Sequence, residues 1–299
     1  MYVGELCREL FIYTMLSYQL EGNGFPLLLI HGLGVTGHVW QELVPLLSPH
    51  FQLILVELPA AYIAGAGVCD APYYRTCSEL LEELRIVMGL EHWAILAYST
   101  GTRVSEAYVQ QYPQHVTQAI FLCPLYLRKP WQIGLHIEEW VDARYPNLTN
   151  WFFSGWRLST ALLGLCFNLR RSAAVKEWMR ELTHQSPDNL KHLLLALPGK
   201  GRAPFTLTTT SDVPVLFIWG RSDVLVACPP RWRAHANDRF IFANHGAPVL
   251  AAEKIARIAL PFFSGEIGLP QSQGEAKQHV RPLFKPAFSR TVRTRLPDV

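Results

Sequence analysis

The chain has 299 residues, 49% of them apolar and 17% charged, with a formal net charge of +3. That share of apolar side chains excludes a disordered polypeptide, and a chain of this length can bury most of the surface its unfolded form exposes. From residue 265 onward six basic residues face three acidic ones, which accounts for the whole positive excess, so the main body is formally neutral and no nucleic-acid partner is expected.

Short apolar runs bounded by turn residues alternate with longer amphipathic segments. This is the pattern of an α/β fold with a mostly parallel, doubly wound central sheet and helices on both faces. Leu10 to Leu20 is expected to supply an antiparallel hairpin first. Buried strands then read as continuous apolar runs: Pro26 to Ile30, Phe51 to Val56, Trp93 to Ala97, Gln118 to Cys123, Val213 to Trp219 and Arg239 to Ala243. Thr76 and Glu79 have the spacing of a capping box ahead of a helix over Glu79 to Met88, and Gly89 stands where a left-handed helix end needs glycine. A second helix is expected from Thr102 to Tyr112, stopped by Pro113. Near the end, Ile255, Ile258, Ala259 and Phe262 fall on one helical face.

Residues 125–210 break the alternation, with helix-like stretches and no strand run. They read as a helical cap inserted into a core formed by 1–124 and 211–264. Five of the nine tryptophans lie there, Trp131, Trp140, Trp151, Trp156 and Trp178, and they serve either as a small aromatic core or as the lining of an apolar pocket. Within that pocket reading, Trp131, Trp140, Trp151 and Trp156 join Tyr98 as candidate substrate contacts. Arg170 and Arg171 are the one adjacent arginine pair in the cap, and read as exposed helix surface. Residues 265–299 hold Pro270, Pro282, Pro286 and Pro297 without periodicity, as a loosely ordered tail would.

The six cysteines are scattered without metal-site spacing, so free thiols are the default reading. The first twenty residues carry Glu5, Arg8 and Glu9 rather than the pattern of a secretion signal, and no run is apolar and long enough to span a membrane. A cytoplasmic location is the resulting expectation. No dinucleotide or P-loop glycine motif and no histidine pairing occurs, so neither cofactor nor metal is expected.

The chemistry gathers at strand ends. In Ala97-Tyr98-Ser99-Thr100-Gly101 a serine follows a buried strand and opens a helix, with small residues two positions to either side, as a sharp strand-to-helix turn requires. His31-Gly32-Leu33-Gly34 follows the strand Pro26 to Ile30, and the N–H groups of Leu33 and Thr100 are candidates for an oxyanion hole. Asp223 follows the strand Val213 to Trp219, whereas Asp212 precedes it and belongs at the opposite sheet edge. His245 follows the last strand. Of the eleven histidines, only His31 and His245 end a strong apolar run.

Serine, aspartate and histidine in that chain order, with the phrases LLLIHGLG, YPQHV, VPVLFIWGRSD and HGAPVLAAEKIA, resemble the α/β-hydrolase superfamily over roughly residues 10 to 264, and specifically its lidded, esterase-like members. Two features depart from that pattern. Ala97 stands where the family usually has glycine, and Glu57 to Tyr62 keeps Glu57 and Pro59 but loses a glycine-rich turn. The resemblance implies a serine hydrolase in which Ser99 attacks an ester, thioester or lactone carbonyl of a small apolar acyl substrate. His245 is the base, Asp223 orients it, and an acyl-enzyme forms. Serine at this turn argues against the superfamily's dehalogenases and epoxide hydrolases, whose nucleophile is a carboxylate. Carbon–carbon hydrolysis, acyl transfer and aminopeptidase chemistry by the same three residues stay open, as does a receptor that keeps the fold without turnover.

Overall fold

Each apolar run noted above becomes a strand, and the strands pair into one seven-stranded sheet. The computed structural model describes residues 16–59, 73–145, 212–229 and 237–265, together with Leu148, Arg180, Leu197, Gly201 and Phe205. In chain order the elements are β1 (Tyr18–Glu21), β2 (Phe25–Ile30), α1 (Val44–Leu47), β3 (Phe51–Val56), α2 (Tyr73–Val87), β4 (Trp93–Tyr98), α3 (Gly101–Gln111), β5 (Val116–Leu122), α4 (Lys129–Arg144), β6 (Val215–Gly220), β7 (Asp238–Ile241), α5 (Ala247–Leu250) and α6 (Ala252–Phe263).

The spatial order is β1-β3-β2-β4-β5-β6-β7, with β1 antiparallel to β3 and every other neighbouring pair parallel. All six residues of β4 are buried, as a central strand covered on both faces must be. From β2 the chain steps outward to β3, then returns past β2 to β4. The strand order therefore reverses between β2 and β4, and at such a switch point the loops at the carboxyl ends diverge and leave a crevice. His31 and Ser99 both lie just beyond those two strand ends, since Ile30 is in register with Ala97.

Several sequence expectations shift. Tyr18–Glu21 is a single strand pairing with β3, which lies between β1 and β2, so the expected hairpin does not form within the described residues. Residues 10–15 lie outside them. The capping box fails as well, because α2 begins at Tyr73 and Thr76 is a buried interior residue. Tyr73 and Tyr74 extend the buried face of α2 by a turn, and their burial outweighs the local capping signal of Thr76. Gly89 does take the left-handed conformation, at φ 66°. β7 ends at Ile241 rather than Ala243, and Cys123 lies beyond the end of β5.

α2 and α3 cover one face and are joined by a buried polar cluster. Glu82 accepts hydrogen bonds from Arg85 (Nη2 2.7 Å, Nε 3.0 Å) and from the Tyr108 hydroxyl (2.8 Å), and faces His115 Nδ1 at 3.1 Å. Burial alone would push the Glu82 carboxyl up. The bonds from Arg85, Tyr108 and His115 and the Arg85 charge outweigh it and hold the carboxyl at about 2. On α6, Ile255, Ala259 and Phe262 are buried as the stripe requires.

Of the expected cap, α4 and the bridge between Leu127 and Val226 are described, while most of 125–210, including Trp151, Trp156, Trp178 and the pair Arg170 and Arg171, lies outside the described residues, as does the tail from 266. Among the described residues no helix is long and apolar enough to cross a membrane. Cys77, Cys123 and Cys228 are buried and form no disulfide.

Candidate active site

The central strand β4 delivers Ser99 to the crevice. Ser99 adopts φ 53°, a left-handed conformation that costs an L-residue of order 1 kcal/mol or more and turns the chain straight into α3. The turn closes because its neighbours are small. A Cβ on Gly101 would lie 2.4 Å from the His31 carbonyl oxygen and 2.7 Å from that of Ile30, and one on Gly32 would lie 2.9 Å from Ser99 Cβ. Ala97, two positions before Ser99, is an ordinary buried strand residue between Ile30 and Phe121, so its methyl group is accommodated.

β6 and the turn after it carry Asp223, which is 1% exposed. One carboxylate oxygen, Oδ1, accepts the N–H groups of Leu225 (2.8 Å) and Val226 (3.1 Å), and Oδ2 lies 2.8 Å from His245 Nδ1. Burial would raise this carboxyl. The His245 charge and hydrogen bond, with the two backbone N–H groups, outweigh burial and hold it below the usual carboxylate range. An ionised Asp223 only accepts, so Nδ1 carries a proton, and in the neutral imidazole Nε2 is left as an acceptor. His245 Nε2 lies 2.9 Å from Ser99 Oγ, completing an unbroken chain from hydroxyl to carboxylate.

Supporting bonds fix this chain in place. The Tyr98 hydroxyl donates to the His245 carbonyl oxygen at 2.6 Å, and the Gly246 N–H donates to Asn244 Oδ1 at 2.9 Å. Thr102 Oγ1 donates to the Ser99 carbonyl oxygen at 2.5 Å, and Arg128 Nε to that of Asp223 at 2.9 Å. Tyr98, a candidate substrate contact, is 2% exposed and directs its polar end to the His245 loop.

Beside Ser99, neither the Leu33 nor the Thr100 N–H donates to another described residue. The turn bearing Leu33 is held from below. His31 Nε2 accepts the Leu58 N–H at 2.9 Å, which makes Nδ1 the donor to the Gly32 carbonyl oxygen, also at 2.9 Å. Glu57 Oε1 accepts the Gly37 N–H at 2.8 Å. Sequence reasoning treats Glu57 only as a loop landmark; an acid directly following a buried strand beside the glycine turn is the signal that points to this clamp.

Of the remaining candidates, Trp131 is 48% exposed on α4 with its indole N–H donating to the Val224 carbonyl oxygen at 2.8 Å, next to Asp223. Trp140 is 58% exposed, with the Arg144 guanidinium 5.1 Å from its ring centre.

A family model for the alpha/beta hydrolase fold matches residues 26–227. Among curated proteins, a pimeloyl-[acyl-carrier protein] methyl ester esterase of Legionella pneumophila (strain Paris) is 32% identical over 101 residues, 33% of this chain and 40% of that protein. One so named from Vibrio vulnificus (strain YJ016) is 42% identical over 69 residues, 23% and 27% of the two chains. Another from Aeromonas hydrophila is 26% identical over 222 residues, 70% of this chain and 82% of that protein. The first two matches thus span well under half the length of those relatives. Among solved structures, a hydrolase from Pseudomonas aeruginosa PA01 superposes with a TM-score of 0.61 at 21% identity, covering 83% of this chain and 94% of that one. A thermophilic esterase from Thermogutta terrifontis gives 0.58 at 18%, covering 84% and 93%. An epoxide hydrolase mutant from Bacillus megaterium gives 0.62 at 15%, covering 83% and 96%, and at such identities the likeness is one of fold.

Proposed function

Because this chain belongs to the alpha/beta hydrolase fold family, we propose that it is a serine esterase, with Ser99 as nucleophile, His245 as general base and Asp223 as the group that orients the imidazole. The observation that carries the reading is the continuous chain Ser99 Oγ to His245 Nε2 (2.9 Å) and His245 Nδ1 to Asp223 Oδ2 (2.8 Å). The named relatives, methyl ester esterases, support an ester as the substrate.

In the proposed cycle, Ser99 attacks the ester carbonyl while Nε2 takes the hydroxyl proton. The negative charge moves onto the carbonyl oxygen, where the Leu33 and Thr100 N–H groups stabilise it, each by about 3 kcal/mol in comparable sites. His245 then returns the proton to the leaving alcohol, and an acyl-Ser99 ester remains. Water, deprotonated by the same Nε2, attacks this ester and releases the acid. Asp223 stays ionised throughout and favours the imidazolium that forms twice per cycle.

The test is turnover of short-chain p-nitrophenyl esters together with labelling by a fluorophosphonate. Wild-type protein is expected to do both, and Ser99→Ala to lose the label and at least roughly 10⁴-fold in kcat while keeping its melting temperature. Activity retained in Ser99→Ala, or a wild-type serine that never labels, overturns the assignment.

A further inference from the structure

Cys123 is a buried nucleophile that the ester chemistry leaves unused. It directly follows β5, is fully buried, and adopts φ 44°. Among the described residues, Ser99 is the one other non-glycine residue with a positive φ, so both such strained positions lie at this site. The Cys123 N–H donates to the Ile218 carbonyl oxygen at 2.8 Å, which anchors this residue beside β6, the strand that leads into the Asp223 turn. Its Sγ, a carboxylate oxygen of Asp223 and a ring nitrogen of His245 all lie within 4.8 Å of one another.

We propose that Cys123, Asp223 and His245 form an inhibitory binding site for a thiophilic divalent cation of the Zn²⁺ or Cd²⁺ class. Ligand bonds of about 2.0–2.3 Å place tetrahedral donors roughly 3.3–3.8 Å apart. Asp223 Oδ2 and His245 Nδ1, 2.8 Å apart, would open by about half an ångström, and the wider gaps, none beyond 4.8 Å, would close by at most about 1–1.5 Å. The donor set is one thiolate, one carboxylate and one neutral imidazole, which together cancel the charge of a divalent ion and leave no net charge in a buried place. Mg²⁺ and Ca²⁺ select all-oxygen sites and do not suit a sulfur and a nitrogen donor.

The proton balance explains the inhibition. A cysteine binds such an ion as its thiolate, so the Cys123 S–H proton is given up when the metal binds. Metal binding forms an S–metal bond and releases that proton to solvent. The metal also takes the lone pair at Nδ1, so the imidazole proton moves to Nε2. Nε2–H then donates to Ser99 Oγ and has no lone pair to accept the hydroxyl proton. Nothing is oxidised or reduced. The inhibitory consequence rests on the serine-esterase reading; the binding itself does not.

The experiment has two readouts on the whole chain. Cd²⁺ titrated into the Ser99→Ala protein is expected to give a thiolate-to-metal charge-transfer absorption that a chelator removes and that Mg²⁺ and Ca²⁺ do not produce. Cys123→Ala and Cys123→Ser are expected to lose the absorption belonging to this site. In ester turnover, Zn²⁺ is expected to inhibit the wild type reversibly, and each Cys123 variant, measured against its own metal-free rate, to need at least roughly tenfold more. An unchanged absorption in both folded Cys123 variants assigns the metal to other cysteines and overturns the proposal. If wild type turns over no ester but the Cys123-dependent absorption is present, the esterase reading falls and the metal site stands.

Discussion

At the scale of single residues, the site depends on how closely three pieces of backbone approach one another. Gly32 is placed against Ser99 by contact, not by turn geometry alone: an added methyl group would sit 2.9 Å from Ser99 Cβ. Gly32→Ala is therefore expected to lower kcat for a short aryl ester by roughly 10²-fold, since a shift of an ångström between nucleophile and oxyanion donors is enough, with a small change in melting temperature. Asp223→Asn tests a different link. An amide at this position removes the charge that selects the Nδ1–H tautomer, and kcat is expected to fall by about 10⁴-fold while circular dichroism is unchanged. Loss of less than tenfold in that variant would leave Asp223 as a turn residue only. Ser99, Asp223 and His245 could be picked out of the chain because each follows an apolar strand. Tyr98 and Glu57 could not be given their positioning bonds, because those bonds go to residues 147 and 20 positions away.

At the scale of elements, the pair α2 and α3 behaves as one unit because Glu82 bonds both its own helix, through Arg85, and the facing one, through Tyr108. Removing the carboxylate leaves Arg85 and Tyr108 buried with poorer partners. Glu82→Gln is expected to cost about 3 kcal/mol in a denaturant titration without altering the intrinsic rate of ester turnover. Arg103 forms a second tie: 3% exposed, it pairs with Glu106 at 2.6 Å, donates to the Leu125 carbonyl oxygen at 2.9 Å and lies 3.7 Å from the Phe205 ring centre. It therefore anchors α3, which begins just after Ser99, to the chain leaving β5. The element boundaries moved where burial outweighed local signals. Thr76 offers a good cap, yet Tyr73 and Tyr74 carry enough apolar surface to extend the helix past it.

For the molecule as a whole, the acid limit of stability follows from Glu82. Its carboxyl is held at about 2 against an ordinary value of 4.5, so the folded state binds fewer protons than the unfolded one in between. The stabilisation is complete above about pH 4.5 and is lost as the pH falls toward 2. Melting temperature is expected to drop across that window in the wild type, and to drop less in Glu82→Gln. A second whole-molecule prediction concerns the substrate. With p-nitrophenyl esters of increasing chain length, kcat/KM is expected to rise with apolar acyl length if residues 125–210 contribute an aromatic lining, and a flat profile would remove them from the pocket.

The sequence by itself determined the sheet, because strands buried on both faces must be written as continuous apolar runs, and it determined which residues stand at the carboxyl ends of those strands. It could also supply the order serine, aspartate, histidine, on which the resemblance to the alpha/beta hydrolases rested. Only the tertiary structure decided that these three ends meet at one crevice, since spatial order in a sheet is set by long-range pairing that no local pattern encodes. Only it brought Cys123 beside Asp223 and His245, a hundred or more positions away in the chain, because the adjacency of β5 and β6 exists in the folded sheet alone.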